Sequence, residues 1–435
     1  MSVAVSTVAL TEVLAEVVGA EHLLTDPAAR EGCAVDGRAP RWVARPADAQ
    51  QVSRLVMVAH AEGLAVAPRG SGSSVGLGNP PARLDLVMDL TRLDQIEDHA
   101  PADMVASVGA GARLDVLDGT FAAAGQMLPL DPAGGEQRTV GGVLATGSSG
   151  PRRFRYGTGR DLLLGVRFVQ ADGTVTWGGA RVVKSVTGYD VPKLMVGALG
   201  TLGVIVSATL RLHPRPAAAG SWLLSFGSPA AAESLVAALL DSAIEPDRIA
   251  LVDAGARRRA GLGDGGWAAL VSIGSVAEAV ASQGAALARL GARHNADVGA
   301  APESAWPALG RALEGPVRLR VGCEVRRVVH WMRELGRLGA DGAGEPSAVA
   351  EAGNGVIHLA LGGATAGTAD AVRRLREALA PEGGSAVVER APATLKAGLD
   401  AWGPAPPGAF ALMERLKREV DPLGVLNPGR FVGGL

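Results

Sequence analysis

The sequence predicts an α+β protein of more than one domain, and three observations carry that expectation. Segments with helical apolar spacing alternate with short strand-like runs as far as Leu212. A proline-rich break, Pro214-Arg215-Pro216, then precedes a second alternating set. The length, 435 residues, is too great for one small core and fits roughly two to three domains.

Leu10, Val13, Leu14, Val17 and Val18 repeat at helical spacing, with Gly19 as the stop. A second helix is expected from about Ala47 to Glu62, ended by Gly63. Leu64–Ala67 reads as a short strand that Pro68 stops. Leu84–Asp89 and Met104–Gly109 read as strands, and Arg113–Ala124 as a helix closed by Gly125. Asp161–Gln170 and Thr174–Trp177 read as strands joined by an Asp172-Gly173 turn, and Val204–Leu212 as a further strand. Beyond the break, strands are expected at Ser221–Phe226, Ile249–Val252, Ala268–Ile273, Val317–Val321 and Val356–Leu361. Helices are expected at Ala230–Leu240, Val276–Leu290 and Thr368–Leu379. Gly291–Leu313 and Ala340–Ser347 read as surface loops. The helix Ala409–Val420 and the tail after it close the chain. The expected domains are 1–216, 217–408 and a returning segment 409–435.

Composition excludes several classes. Charged residues are 20% and the net charge is −2, so no concentrated basic face points to nucleic acid. Cys33 and Cys323 are the only cysteines, too few for a disulfide framework or a protein-ligated iron–sulfur cluster, and both read as small core residues. Any one-electron relay then sits on another chain. No stretch suits a signal peptide or a membrane span. The expected location is cytoplasmic, peripheral to the inner membrane at most through partners.

Three glycine clusters carry the chemistry. Arg69-Gly70-Ser71-Gly72-Ser73-Ser74-Val75-Gly76 follows a strand and offers backbone N–H groups at close range, with serine hydroxyls added. It is neither a dinucleotide fingerprint opening a helix nor a Walker loop, and alone it reads equally well as an ordinary connection. The second cluster, Thr139-Val140-Gly141-Gly142 to Gly147-Ser148-Ser149-Gly150, runs into Arg152, Arg153, Arg155 and Tyr156, then Arg160-Asp161. Those arginines are either a solvated basic turn or an anion site. The third cluster is Gly197, Gly200 and Gly203, which otherwise reads as tight packing of two elements.

Taken in order, Pro68-Arg69-Gly70-Ser71-Gly72, Thr139-Val140-Gly141-Gly142, Gly200-Thr201-Leu202-Gly203-Val204-Ile205 and Asn427-Pro428-Gly429-Arg430 resemble the FAD-binding domain of the vanillyl-alcohol oxidase-type (PCMH-type) flavoproteins. The likeness spans roughly residues 40–215 and the tail. Within that family, Ser149-Gly150-Pro151-Arg152-Arg153 and the Val183–Gly197 stretch are similar to the FAD-binding (E) subunits of bacterial glycolate oxidases. The resemblance implies a two-lobed PCMH-type FAD-binding domain with an α+β cap over the flavin. It implies that Pro68, Arg69, Gly70, Ser71, Gly72, Ser73 and Ser74 hold the pyrophosphate. Thr139, Gly141, Gly142, Ser148, Ser149 and Gly150 would line the flavin side with Arg152 near it. Arg160 and Asp161 would follow the flavin-facing loop, and Gly203, Val204 and Ile205 would contact the adenine end. The first loop lacks the His that links flavin covalently in many relatives, so FAD is expected to be non-covalent. Gly197-Ala198-Leu199-Gly200 stands where many relatives read Gly-Ser-Glu-Gly, which removes a polar contact.

The resemblance also implies a 2-hydroxy acid as substrate, with a catalytic flavoprotein subunit and an iron–sulfur subunit as partners. In the catalytic relatives a His-x-Gly-Asp-Gly-Asn-x-His segment and a later Glu-His provide metal ligands and the general base. Here the matching residues are Glu351 to His358, then Glu389-Arg390. Arg390 thus occupies the base position, and a guanidinium stays protonated. Tyr156 or His358 could substitute. Glu351, His358 and Glu389 could form a metal set, but the reading preferred is that they are surface or interface residues and that no metal is bound. Lys184 and Asp190 bracket a turn near the expected flavin, either to stabilise reduced flavin or as a local surface contact. The leading expectation is a dependent flavin subunit. The alternatives are a self-sufficient FAD-linked D-2-hydroxy-acid dehydrogenase and a flavin-free structural subunit.

Overall fold

The computed structural model describes residues 7–135, 137–180, 189–338, 344–365, 367–405 and 407–435. Two sheets share the first half. One has four strands in the order Leu23–Leu24, Trp42–Ala44, Leu86–Asp89, Val66–Arg69, the last three mutually parallel. The other is antiparallel, in the order Ile96–Ala100, Val105–Gly109, Val204–Arg211, Leu163–Val169, Val175–Gly179.

The helix Ala49–Glu62 joins these sheets. Asp48 caps it by accepting from the Gln51 N–H at 2.8 Å, and Gly63 ends it at φ 63°, a left-handed turn that favours glycine. Val52, Leu55, Val56 and Ala59 lie on one face and share a core with Leu86 and Met88 of the first sheet. Val169, Val204 and Val206 of the second sheet complete that core.

The strand expected to stop at Pro68 instead runs Val66–Arg69. It is the edge strand of its sheet, so the missing proline N–H breaks no ladder. The Val66 N–H points outward to the Val425 carbonyl at 2.8 Å, and Pro68, two residues on, shares that outer side. The Asn427 N–H returns to the Val66 carbonyl at 2.8 Å, so the tail after helix Pro407–Val420 docks along this edge.

The second half is an eight-stranded antiparallel sheet in the order Ala296–Ala300, Ala218–Phe226, Ala268–Ser275, Arg248–Val252, Ser347–Glu351, Val356–Leu361, Val317–Gly322, Ser385–Arg390. Helices Pro229–Leu240, Ala277–Arg293, Val328–Arg337 and Thr368–Leu379 contribute to its main core. The stretch Gly291–Leu313 is not a surface loop. It holds the edge strand Ala296–Ala300 and the helix Ala305–Ala312, whose Trp306 and Leu309 are buried. Cys33 is buried as expected, and Cys323 is half-buried. Among the described residues, no helix is long and apolar enough to cross a membrane.

Candidate functional site

The three glycine clusters and the tail converge on one cleft. It is lined by the whole of Pro68–Val75, by Thr139, Gly141, Gly142, Ala145 and Thr146, by Leu199, Gly200, Gly203 and Ile205, and by Asn427 and Arg430. The glycines let these segments touch. A Cβ on Gly70 would lie 2.0 Å from Thr139 Oγ1, and one on Gly200 (φ 71°) would lie 2.5 Å from the Pro68 ring. Thr139 is buried and caps the helix Val140–Thr146, which the glycine content of the sequence had hidden. Gly203 owes its lack of a side chain to Phe168 and Met195, which a Cβ would meet at 2.6 and 3.1 Å.

The first loop is held by two buried cations. The Arg430 guanidinium donates to the carbonyls of Val75 and Leu77, both at 2.6 Å. Lys396 donates to the carbonyls of Gly76 and Gly78. Four successive carbonyls are thereby engaged. A single buried carboxylate, Asp36, serves both cations, 3.0 Å from Lys396 and 3.4 Å from Arg430. Burial lowers both basic groups, against the pull of Asp36, and Arg430 still titrates only at about 10. Arg430 is therefore charged at neutral pH, and Asp36 is placed between it and Lys396.

Arg138 links the first two glycine segments. Its Nη2 donates to Ser74 Oγ at 2.6 Å and to Ser148 Oγ at 2.9 Å, and its Nη1 to the Ala133 carbonyl. It is buried on the cleft wall, and burial with Arg318 nearby lowers it only to about 10. None of Arg138, Lys396 or Asp36 was singled out from the sequence. Their partners lie far along the chain, and no local pattern marks them.

Glu351, His358 and Glu389 do come together, but not at the surface. Glu351 and His358 sit on paired neighbouring strands, with His358 Nε2 3.4 Å from Glu351 Oε1. His358 Nδ1 is 3.7 Å from Glu389 Oε2. Arginines take the other sides of the carboxylates: Arg318 and Arg320 lie 3.0 and 3.2 Å from Glu389, and Arg153 lies 3.7 Å from Glu351. Burial alone would lower His358, but Glu351 and Glu389 outweigh it and raise the imidazole to about 9. Burial opposes ionisation of Glu389, yet His358 and the two arginines hold it well below the ordinary carboxylate range. Held protonated by its two carboxylates, the imidazole is a poor proton acceptor, which disfavours His358 as a substitute base.

The other expected residues divide. Ser148 adjoins the cleft through two small cavities, one of which also takes in Ser73, Ser74 and the exposed Arg390. Ser149, Gly150 and Arg152 line a separate, larger chamber between the two halves, together with Asp131, Arg248, Trp306, Glu351 and His358. Asp131 accepts from the Arg152 N–H with both oxygens at 3.1 Å, and burial pushes its carboxyl up to about 7. Arg160 and Asp161 are exposed and line neither space. Asp161 closes the capping box of helix Gly159–Leu162, and Arg160 donates to the Lys193 carbonyl. Val204 points away from the cleft into the opposite core, because neighbouring strand residues alternate faces. Tyr156 stacks edge-on against His213 at 5.1 Å, outside the residues lining either space, and burial with Asp247 nearby raises its hydroxyl further from use as a base. Asp190 caps helix Val191–Met195 and pairs with Lys193 at 2.6 Å, while Lys184 lies outside the described residues.

Comparison with known proteins agrees with this geometry. Residues 40–179 match the FAD binding domain family. An uncharacterised FAD-linked oxidoreductase of Mycobacterium tuberculosis is 31% identical over 250 residues, 56% of this chain and 54% of that protein. A D-lactate dehydrogenase of Archaeoglobus fulgidus is 35% identical over 40% of this chain and 39% of its own length. Glycolate oxidase subunit GlcE of Escherichia coli is 38% identical over 34% and 43%. The chain thus spans about half or less of the length of these relatives. The structure of p-cresol methylhydroxylase with substrate bound superposes with a TM-score of 0.77 over 97% of this chain and 95% of that one, at 15% identity, a likeness of fold. The chain therefore carries an FAD-binding domain on the PCMH-type fold, takes FAD as its cofactor and is related to FAD-linked oxidoreductases.

Proposed function

We propose that FAD lies in the cleft with its pyrophosphate on Arg69–Ser74, and that the chain acts as a flavin-carrying subunit in the oxidation of a 2-hydroxy acid, passing electrons to a partner. The convergence of Pro68–Val75, Thr139–Thr146, Gly200–Ile205 and the Asn427–Arg430 tail on one cleft carries this reading. The residues present suit the group. Glycines leave the backbone open, and Arg138 and Arg430 stay cationic on the wall, where they favour a dianionic pyrophosphate. Among the described residues the lining holds no His, Cys or Tyr, which supports non-covalent attachment.

FAD supplies a hydride acceptor when bound. The chain's own residues would hold and orient it and shield it with the second half. Arg390 beside the first loop and protonated His358 behind it suit charge neutralisation better than proton removal. That favours a subunit working beside a catalytic flavoprotein and an iron–sulfur protein in a glycolate-oxidase-like complex, in the cytoplasm or against the inner membrane through those partners. A second reading, a self-sufficient dehydrogenase, draws on Asp131, a carboxylate at the chamber beside Gly150 with its titration near neutrality.

Two measurements test this. The purified chain is expected to carry flavin that acid precipitation releases; a flavin-free preparation that takes up no added FAD would overturn the reading. The isolated holoprotein is expected to turn over glycolate and D-lactate with an artificial acceptor far more slowly than the assembled complex. Equal rates would favour the self-sufficient enzyme.

A further inference from the structure

We propose that the chamber between the two halves binds a 2-hydroxy acid with an extended apolar chain, and that Arg248 anchors its carboxylate. This rests on the reading that the chain handles a 2-hydroxy acid, and it adds the size class.

The walls come from both halves of the molecule. Leu128 and Leu130 contribute from one side, and Trp306, Leu309 and Val349 from the other. All are buried, so the surface they present is apolar and stiff. A two-carbon acid would leave most of this wall in contact with water, whereas an alkyl chain would cover it.

Arg248 sits in the wall at 5% exposure, its guanidinium stacked over the Trp306 ring at 4.5 Å. One edge donates to Glu303 at 2.6 Å, but the Glu303 side chain is 62% exposed on the rim and can move aside. Among the described residues its buried Nε–H has no hydrogen-bond partner. A ligand carboxylate taking the place of Glu303 would meet the guanidinium edge that Glu303 now meets, with a charge-assisted bond. The planar guanidinium, fixed by stacking, matches a carboxylate's two oxygens. The chamber also reaches Ser149 and Gly150, the segment expected on the flavin side, so a ligand held at Arg248 would lie between that segment and the apolar wall.

The test is equilibrium binding to the purified holoprotein of glycolate, 2-hydroxybutanoate, 2-hydroxyhexanoate and 2-hydroxyoctanoate, with flavin content measured on the same samples. Affinity is expected to rise roughly threefold per added methylene until the wall is covered. The primary amide of 2-hydroxyoctanoate should bind at least about tenfold more weakly than the acid, and Arg248→Met should erase that difference. If Arg248→Met does not fold, the chain-length series and the acid–amide comparison on the natural protein still decide. Equal affinities along the series would overturn the apolar site, and equal binding of acid and amide would overturn the anchor. A flat series on flavin-loaded protein defeats this inference alone. A graded series on protein that binds no FAD defeats the functional reading and leaves the chamber standing.

Discussion

Lys396 meets Asp36 at 3.0 Å although the two are 360 residues apart in the chain. The lysine comes from the short helix after the last strand of the large sheet, and the aspartate from the turn before the first parallel strand. Their contact ties the second half of the molecule to the loop proposed to hold the pyrophosphate. Lys396→Met would leave Asp36 with Arg430 alone and the carbonyls of Gly76 and Gly78 without their donor. Breaking a buried pair of this kind costs roughly 3–5 kcal/mol. Thermal unfolding should show a lowered midpoint, and FAD titration a weakened affinity.

The glycines of the first loop are not equivalent. Gly70→Ala would drive its methyl group into Thr139 Oγ1, 2.0 Å from the added carbon, whereas Gly76→Ala meets nothing within 4 Å and needs no left-handed backbone. FAD affinity is expected to fall at least about tenfold in the first variant and to stay within a factor of about two in the second. Titration of flavin into the apoprotein checks both.

Arg138 spans two segments through Ser74 and Ser148. Arg138→Met keeps most of the volume but removes the guanidinium donor from both hydroxyls, of which Ser148 keeps its hydrogen bond with Thr146. A loss of about 2 kcal/mol in stability is expected from the broken hydrogen bonds to a charged group. The flavin absorption band should also shift, which a change confined to the fold would not produce.

Two of the buried groups make stability depend on pH in adjoining windows. His358 titrates at about 9 when folded, above its ordinary value, so its contribution is complete below about pH 6.5 and is lost as pH rises to 9. Asp131, raised to about 7, favours the folded state fully only below about pH 4, and that advantage declines as pH rises to 7. Chemical denaturation at several pH values should show stability falling through both windows. His358→Asn should flatten the upper one, and Asp131→Asn should make the lower shallower, where Asp253, raised to about 6 by burial, still contributes.

Much of the framework was written in local patterns. Helix Thr368–Leu379 coincides with its periodicity, and Ala49–Glu62 is bracketed by an aspartate cap and a glycine stop. The cleft itself was legible because its parts are glycine clusters that recur in order. What escaped depends on pairing across the fold. Val66–Arg69 tolerates Pro68 only because it is an edge strand, and edge position is invisible without the neighbours. Ala305–Ala312 looked like loop because Gly291 and Pro302 break the apolar rhythm around it, yet tertiary burial of Trp306 and Leu309 decides its state. His358 looked like a spare base because its two carboxylates reach it only through strand pairing. The side-chain direction of Val204 was legible from the sequence alone. Strand alternation puts it opposite Gly203 and Ile205.

The tail that docks on Val66 and sends Arg430 to the carbonyls of Val75 and Leu77 also sets a timetable. The latter contact spans 355 residues, so during synthesis the Val75 and Leu77 carbonyls wait, unclamped, until residue 430 has emerged. The carbonyls of Gly76 and Gly78 wait only for Lys396. The cleft is therefore completed late, and a nascent or truncated chain lacking residues 425–430 would present the loop without the Arg430 half of its clamp.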